Sequence, residues 1–232
     1  MSIKADATGI DTIRFEEELV LDRLLKLDSR KSPGPDGLYP HFLKMCAHNI
    51  AKPCIFQESF DTGQLPMDWR QANVCPIFKK GSRSSAGDYR PVSLTSVVCK
   101  LMEGIIKEVL TDFTDKNKLI TNCQHGFLRG RSCLTNLLES FEQWTAAVDD
   151  GYGLDVTYLD YRKAFDVDPH QRLLFKLGEY GIPEQYCNWI RGFLSTRRMR
   201  VGVNGSYSLW TGITSGHNVP QEPRTSVVPV IR

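Results

Sequence analysis

Apolar residues recur at helical spacing in six segments of the chain. In the first, Phe15, Leu19 and Leu24 follow this spacing and acidic residues come early, as in an amphipathic helix. Pro53 interrupts the second segment and predicts that it divides into two helices. Between these two segments, residues 31–37 are dense in proline and glycine, which indicates a structured turn. The predicted helical segments are residues 13–27, 40–63, 96–113, 134–148, 170–180 and 183–194.

Short β-prone runs are interspersed among the later helices and predict two β-hairpins. Turn residues fill positions 79–87, at the tip of the first hairpin, and Asn204-Gly205 is a strong two-residue turn signal for the second. The predicted strands are residues 72–78, 89–93, 154–159, 199–204 and 207–211. This order of elements favours an α+β fold over a regular βαβ winding.

Charge is informative in two short segments of the chain rather than in its total. A formal net charge of +2 over 232 residues does not by itself indicate a nucleic-acid-binding protein, and 41% hydrophobic residues is typical of a soluble globular chain. Basic residues are nevertheless clustered: residues 69–90 contain five against one acid, Asp88, and residues 191–200 contain four arginines and no acid. Such clusters either bind phosphate backbones or form solvated surfaces, and each cluster alone fits both interpretations.

The seven cysteines are scattered, without Cys-x-x-Cys or Cys/His finger spacing. We expect reduced thiols in an intracellular protein. The first ten residues lack a signal-peptide pattern, and no run of about 18 apolar residues predicts a membrane span. The sequence indicates neither the compartment within the cell nor any protein partner.

Asp160 follows the apolar run of residues 154–159, so it is expected at the end of a buried strand. A rigidly placed carboxylate of this kind binds Mg²⁺ in phosphoryl-transfer enzymes that use two metal ions. The alternative is a polar residue leaving the core, or a helix N-cap. Phe165 lies five positions later. Its ring could pack beneath the sugar of a nucleotide, or it could simply belong to the core.

Cations at the first hairpin provide a second candidate site. Lys79 and Lys80 at its tip and Arg90 on its return strand could clamp a triphosphate, because two ammonium groups and a guanidinium would neutralise its charge. A soluble hairpin tip is the alternative. Residues 124–131 contain glycines together with Arg129 and Arg131. The backbone amides of this loop could bind phosphate, or the loop and its arginines could simply be exposed to solvent. His125 and His170 lack metal-ligand partners in the sequence and are interpreted as structural.

Each of these signals is weak alone, but six stretches of the sequence, taken together in their order, are specific for one family. They are KSPGPDGLYPHFLK (31–44), LPMDWRQANVCPIFKKG (65–81), YRPVSLTSVVCKLMEGII (89–106), QHGFLRGRSCLTNL (124–137), VTYLDYRKAFDVDPHQRLLFKL (156–177) and GFLSTRRMRVGVNGSYSLWTGITSG (192–216). In order and spacing, the chain resembles the reverse transcriptase domain of non-LTR retrotransposons of the jockey and LINE type.

The resemblance implies a partial right-hand polymerase fold, with fingers and an incomplete palm and without a thumb. It implies an N-terminal helical extension (1–30), a fingers-like region (31–150), a partial palm (151–216) and an aberrant C-terminal tail (217–232). The partners implied are an RNA template, a DNA primer and deoxynucleotide triphosphates, and the cofactor is Mg²⁺.

Site roles also follow from the resemblance. Asp160 is the expected catalytic and metal-binding carboxylate, and Phe165 the residue beneath the deoxyribose that disfavours a 2′-hydroxyl. Lys79, Lys80 and Arg90 are expected to hold the triphosphate. Arg129 and Arg131 are expected along the template path.

The chain departs from the family pattern near its end. Asp168 stands where the family has an apolar residue. Val219-Pro220-Gln221 remains from a family motif, but insertions surround it and Pro223 breaks the expected helix. The family's aromatic-Ala-Asp-Asp hairpin is not found, so we expect a truncated domain that is inactive in isolation. A non-catalytic RNA-binding module and a non-functional translated fragment remain the alternatives.

Overall fold

The computed structural model of the chain describes residues 9–159 and 169–213. These residues belong to two compact units: residues 9–117 and 169–213 lie in the first, and residues 118–159 in the second. The domain boundaries expected at residues 30, 150 and 216 stay a prediction.

Helices form in all six segments whose apolar spacing predicts them. Pro53 is the N-cap of α4, so it divides the second segment as expected, although a further break produces three helices. The helices are α1 (Glu17–Leu25), α2 (Pro40–Met45), α3 (Ala47–Ile50), α4 (Cys54–Thr62), α5 (Val97–Lys116), α6 (Cys133–Asp149), α7 (His170–Glu179) and α8 (Glu184–Leu194), with 3₁₀ turns at Met67–Arg70 and Ala86–Asp88.

The described strands form a mixed sheet in the first unit. They are β1 (Gln71–Phe78), β2 (Tyr89–Thr95), β3 (Arg198–Val203), β4 (Ser206–Tyr207) and β5 (Thr211–Gly212). The strand order is β2-β1-β3-β4, and β5 also pairs with β3. Both predicted hairpins form, although the return strand of the second is Ser206–Tyr207 rather than residues 207–211, and the mixture of helices and a sheet is consistent with the α+β fold expected.

The parallel pairing of β1 with β3 is the feature that local sequence patterns do not predict. Gln71 lies opposite Arg198, and Val74 lies opposite Val201. The hairpin of β1 and β2 is thereby joined edge to edge with a hairpin that comes more than a hundred residues later. One sheet therefore collects side chains from both ends of the first unit.

The prediction of a buried strand over residues 154–159 is wrong. These residues form no regular element, and the side chains of Tyr158 and Leu159 are 63% and 54% exposed. A strand needs a neighbouring strand to satisfy its backbone N–H and C=O groups. Residues 118–159, the described part of the second unit, contain no strand that could serve.

An aromatic cluster joins the N-terminal segment to α4 and α8. The Phe60 ring makes edge-to-face contacts with Phe15 at 5.7 Å and with Tyr186 at 4.9 Å between ring centroids. Phe56 similarly contacts Phe15 and Trp69. The Tyr186 hydroxyl donates to the carbonyl oxygen of Asp11 at 2.9 Å, and burial raises the pKa of Tyr186 to about 12. Each such aromatic pair contributes about 0.5–1.5 kcal/mol beyond its buried area.

Two glycines allow α8 to approach the end of α4. Gly63 ends α4 in the left-handed conformation, with φ of 65°. A Cβ atom at Gly192 of α8 would overlap the Gly63 carbonyl oxygen, which is backbone and cannot rotate away. Trp189 of α8 adds a hydrogen bond from its indole N–H to the Ser59 hydroxyl at 3.2 Å. The close packing of α8 against the end of α4 therefore depends on the absence of a side chain at Gly192.

A buried polar cluster lies between α5 and the start of β3. Arg197 is 2% exposed, stacks on the Phe193 ring at 4.4 Å and donates to the Phe193 carbonyl oxygen at 3.2 Å. Burial lowers the pKa of Arg197, whereas the charge of Glu103 on α5 opposes that shift. Burial also raises the pKa of Glu103, although the Cys99 thiol that donates to its carboxylate and the charge of Arg197 act in the other direction.

We predict that Gly192→Ala destabilises the protein by roughly 1–3 kcal/mol, because the new methyl group forces α4 and α8 apart. The control is Gly104→Ala on α5, where a Cβ atom would meet nothing within 4 Å. The control should stabilise the helix by about 0.5–1 kcal/mol. Urea unfolding gives both free energies, and equal changes in the two variants would contradict the proposed contact.

We predict that the wild type loses stability relative to Glu103→Gln as pH rises. Burial in the folded state raises the pKa of Glu103 above its ordinary value of 4.5. Its neutral carboxyl group therefore adds to the free energy of unfolding in full at pH values below 4.5. The contribution is lost as pH rises through the higher folded-state pKa. Free energies of unfolding at pH 4.5 and pH 8, with exposed Glu18→Gln as the control, measure this difference. A difference between wild type and Glu103→Gln that does not change with pH would refute it.

Candidate functional site

The tip of the first hairpin presents two lysines. Lys79 and Lys80 are exposed, and the described ion pairs include neither of them. The only acid of the tip, Asp88, accepts a hydrogen bond from the backbone N–H of Ser82 at 2.9 Å, and its backbone carbonyl accepts from the N–H of Lys79 at 2.9 Å. The acid is therefore used to shape the turn rather than to neutralise either lysine.

Arg90 lies on β2 directly opposite Ile77, two residues before Lys79. Its side chain is half-buried, no described carboxylate lies within ion-pair distance, and its buried Nη2 atom has no hydrogen-bond partner among the described residues. Buried polar atoms normally have partners, since desolvation without one costs about 1–3 kcal/mol. The structure thus brings Lys79, Lys80 and Arg90 to one end of one hairpin, with a guanidinium suited to an anion.

The two faces of the sheet differ. Ala72 and Val74 of β1, together with Ser93 and Thr95 of β2, are buried on one face. We call the other the open face, because its side chains are half-buried or exposed. The strand residues of the open face are Gln71, Asn73, Cys75, Ile77, Arg90, Val92, Leu94, Arg198, Arg200, Gly202, Tyr207 and Gly212. This set contains three arginines and no acid.

Arg200 organises the far end of the open face. Its guanidinium lies 4.1 Å from the ring centroid of Tyr207 and 4.6 Å from that of Trp210. Its Nε donates to the Asn73 side-chain oxygen on β1 at 2.8 Å. The Tyr207 ring also lies across Gly202, where a Cβ atom would come within 2.8 Å of it. The result is a fixed group of one cation and two aromatic rings.

The fold places the four arginines of residues 191–200 in different environments. Arg197 is buried, whereas Arg191 is exposed and donates to the side-chain oxygen of Asn188 on α8. Arg198 and Arg200 alternate with Met199 along β3, which places both on the open face. Sequence reasoning missed this arrangement, because the predicted strand, residues 199–204, began one residue after Arg198; the Arg-x-Arg spacing at its start is the signal that could have indicated it.

In the second unit, His125 holds the loop that precedes α6. The ring is 7% exposed, with Nδ1 2.9 Å from the Thr135 hydroxyl and Nε2 2.8 Å from the Glu139 carboxylate. Because a carboxylate oxygen accepts, the ring donates from Nε2 to Glu139. This arrangement agrees with the structural role expected for His125.

The two arginines of that loop differ in environment. Arg131 donates to the Asn122 carbonyl oxygen and lies 4.0 Å from the Glu139 carboxylate, so its guanidinium fixes the loop. Arg129 is exposed, and no ion pair or hydrogen bond of its side chain occurs among the described residues. Of the two predicted template contacts, Arg129 is therefore the one whose side chain has no partner within residues 9–159 and 169–213.

Two predicted site residues, Asp160 and Phe165, lie outside the described residues. Within residues 9–159 and 169–213, no group of three or more His, Cys, Asp or Glu side chains is arranged to hold a metal ion. In the same part of the chain, every helix is too short or too polar to cross a membrane. All seven cysteines are free thiols.

Comparison with known proteins gives a consistent family. Residues 77–220 match the family model described as reverse transcriptase (RNA-dependent DNA polymerase). The chain is 29% identical over 215 residues to a probable RNA-directed DNA polymerase from transposon BS of Drosophila melanogaster. It is 30% identical over 222 residues to the RNA-directed DNA polymerase from mobile element jockey of the same organism.

A third relative, the transposon TX1 uncharacterized 149 kDa protein of Xenopus laevis, is 28% identical over 218 residues. These three alignments cover 91%, 91% and 90% of this chain but only 23%, 23% and 16% of the relatives. The chain thus spans about a quarter or less of the length of these relatives. Because the family model matches more than half of the residues, the chain belongs to the reverse transcriptase (RNA-dependent DNA polymerase) family, alongside relatives from non-LTR retrotransposons.

Proposed function

We propose that this chain is the part of a retrotransposon RNA-directed DNA polymerase that holds the incoming deoxynucleotide during RNA-templated extension of a DNA 3′-hydroxyl. The observation that carries this proposal is the guanidinium of Arg90. It is half-buried beside two exposed lysines, and a buried nitrogen of it lacks a partner among the described residues. A triphosphate would pair with the guanidinium and neutralise the three cations together.

Each predicted residue has a role in this proposal. Lys79, Lys80 and Arg90 hold the triphosphate, Phe165 lies beneath the deoxyribose, and Arg129 contacts the template while Arg131 keeps the loop in shape. Asp160 is the carboxylate that would hold Mg²⁺, which when bound supplies charge neutralisation at the transferring phosphoryl group. Positioning and electrostatic stabilisation provide most of the catalysis in such transfers. The free thiols support an intracellular location.

We predict that Arg90→Ala weakens binding of a deoxynucleotide triphosphate by about 10- to 100-fold, the loss expected for a charged hydrogen-bond donor. Thermal unfolding should change little, because no ion pair or hydrogen bond of the Arg90 side chain occurs among the described residues. Fluorescence titration with a labelled deoxynucleotide measures the dissociation constants. Arg30→Ala is the control, since Arg30 is exposed and already paired with Asp28. Unchanged affinity in Arg90→Ala would show that the hairpin is not the triphosphate site.

We predict that Asp160→Asn removes the divalent-metal dependence of deoxynucleotide binding and leaves binding in a chelator unaltered. The variant keeps the size of the side chain and removes only the charge that attracts the ion. Titrations with and without Mg²⁺, supported by Mn²⁺ binding in electron paramagnetic resonance, measure the effect. Asp155→Asn, an exposed neighbour, should behave as the wild type. Metal dependence that persists in Asp160→Asn would exclude Asp160 as the metal ligand.

A further inference from the structure

The helix α6 of the second unit presents an apolar stripe to solvent. Only one of its 17 residues, Ser140, is buried, although large apolar side chains follow one another at helical spacing. Five of these side chains lie on one face, with exposed fractions between 43% and 65%. We call them the α6 stripe: Leu134, Leu137, Leu138, Phe141 and Val148. Exposed apolar patches of this kind mark protein interfaces, and the proposed function does not use this one.

The α6 stripe is symmetric about Phe141. Leu134 and Val148 each lie seven residues from Phe141, which is about two helical turns. Two copies of α6 that pack antiparallel, with Phe141 against Phe141, therefore bring Leu134 of each copy against Val148 of the other. In the same arrangement, Leu137 of each copy meets Thr145 of the other. A twofold pair requires a surface that is complementary to itself in this way.

The centre of the α6 stripe is ordered, and its charged neighbours lie to the side. The Phe141 ring makes an edge-to-face contact with Trp144 at 5.2 Å between ring centroids, so it loses little entropy when a partner packs on it. At 100° per residue, Glu142 and Asp149 lie roughly 80–100° around the helix from Phe141, and Glu139 lies on the opposite side. Two stripes can therefore meet without burying a charged group of α6.

Charge at the two ends of α6 favours an antiparallel second copy over a parallel one. Asp149 and Asp150 are exposed at the C-terminal end, and the exposed Arg129 lies four residues before Cys133, the first residue of the helix. The described ion pairs include none of these three charged residues. An antiparallel pair brings the acids of one copy near Arg129 of the other, whereas a parallel pair places acid beside acid. Opposed helix dipoles favour the antiparallel pair as well.

We propose that two copies of this chain associate through the α6 stripe as an antiparallel, twofold pair with Phe141 on the axis. One helix face is smaller than the ~800 Å² per partner of a typical stable interface, so we expect association in the micromolar range. The proposal goes beyond the proposed function, which requires only one copy. Arg129 takes part in both, because it contacts a template in the single chain and a carboxylate in the pair. The test is therefore made without nucleic acid.

Sedimentation equilibrium of the full chain measures the association. Phe141→Glu should weaken dimerisation by about tenfold or more, because it places two carboxylates face to face on the axis. The control is Phe175→Glu on α7, which replaces another exposed aromatic and should dimerise as the wild type. Arg129→Asp should also weaken dimerisation, and adding Asp149→Arg and Asp150→Arg should restore it, because the exchange re-creates the opposite charges. Circular dichroism of each variant should match that of the wild type.

A short bismaleimide, which joins neighbouring thiols, tests the orientation without a disruptive substitution in the stripe. Antiparallel pairing places position 149 of one copy opposite the exposed Cys133 of the other, so Asp149→Cys should give a cross-linked dimer whose joined peptides mass spectrometry identifies. Parallel pairing would instead join Cys133 to Cys133 in the wild type. That product, or dimers that persist unchanged in Phe141→Glu, would overturn the proposal. A wild type that stays monomeric at high micromolar concentration would overturn it as well, and would assign the stripe to another part of a longer polymerase.

Discussion

The parallel pairing of β1 with β3 is the constraint on which the first unit depends. Asn73 and Arg200, which meet across it, are 127 residues apart in the chain. Closing so long a loop costs conformational entropy, which the four opposed residue pairs of β1 and β3 help to offset. Packing of α8 on α4 helps as well, because α8 ends at Leu194, shortly before β3 begins at Arg198. The glycine contact between these helices therefore also positions the sheet.

Three arginines illustrate how burial and partners decide what a cation does. Arg197 is buried against Phe193 and is balanced by Glu103, so it belongs to the core. Arg200 is stacked and hydrogen-bonded, so it fixes neighbouring rings. Arg197 and Arg90 each have a buried nitrogen that lacks a partner in the described part of the chain, but only Arg90 of these two is half-buried rather than buried, so Arg90 is the better suited to a substrate anion. Net charge could not have distinguished them, because all three add one unit to the same total.

Local features of the fold could be predicted from the sequence, and non-local ones could not. Helical spacing predicted the α-helical segments of residues 9–159 and 169–213, and Asn204-Gly205 predicted the second hairpin, because both signals act within a few residues. Residues 154–159 show the limit: their apolar pattern is typical of a strand, but no pattern supplies the neighbour with which a strand must pair. The stacked Arg200 is similar, since its Asn73 partner comes from another hairpin.

The same distinction between local and non-local contacts applies to the candidate site. Lys79, Lys80 and Arg90 lie on one hairpin, so turn signals and register brought them together without tertiary information. The open face instead required β1 and β3 to meet, and its composition emerges only when residues from both are placed in register. A surface assembled in this way is rigid along the strands, because each shared backbone hydrogen bond fixes its neighbours. Arg90 on β2 and Arg198 and Arg200 on β3 are therefore held at fixed distances from one another by the strands that they share with β1.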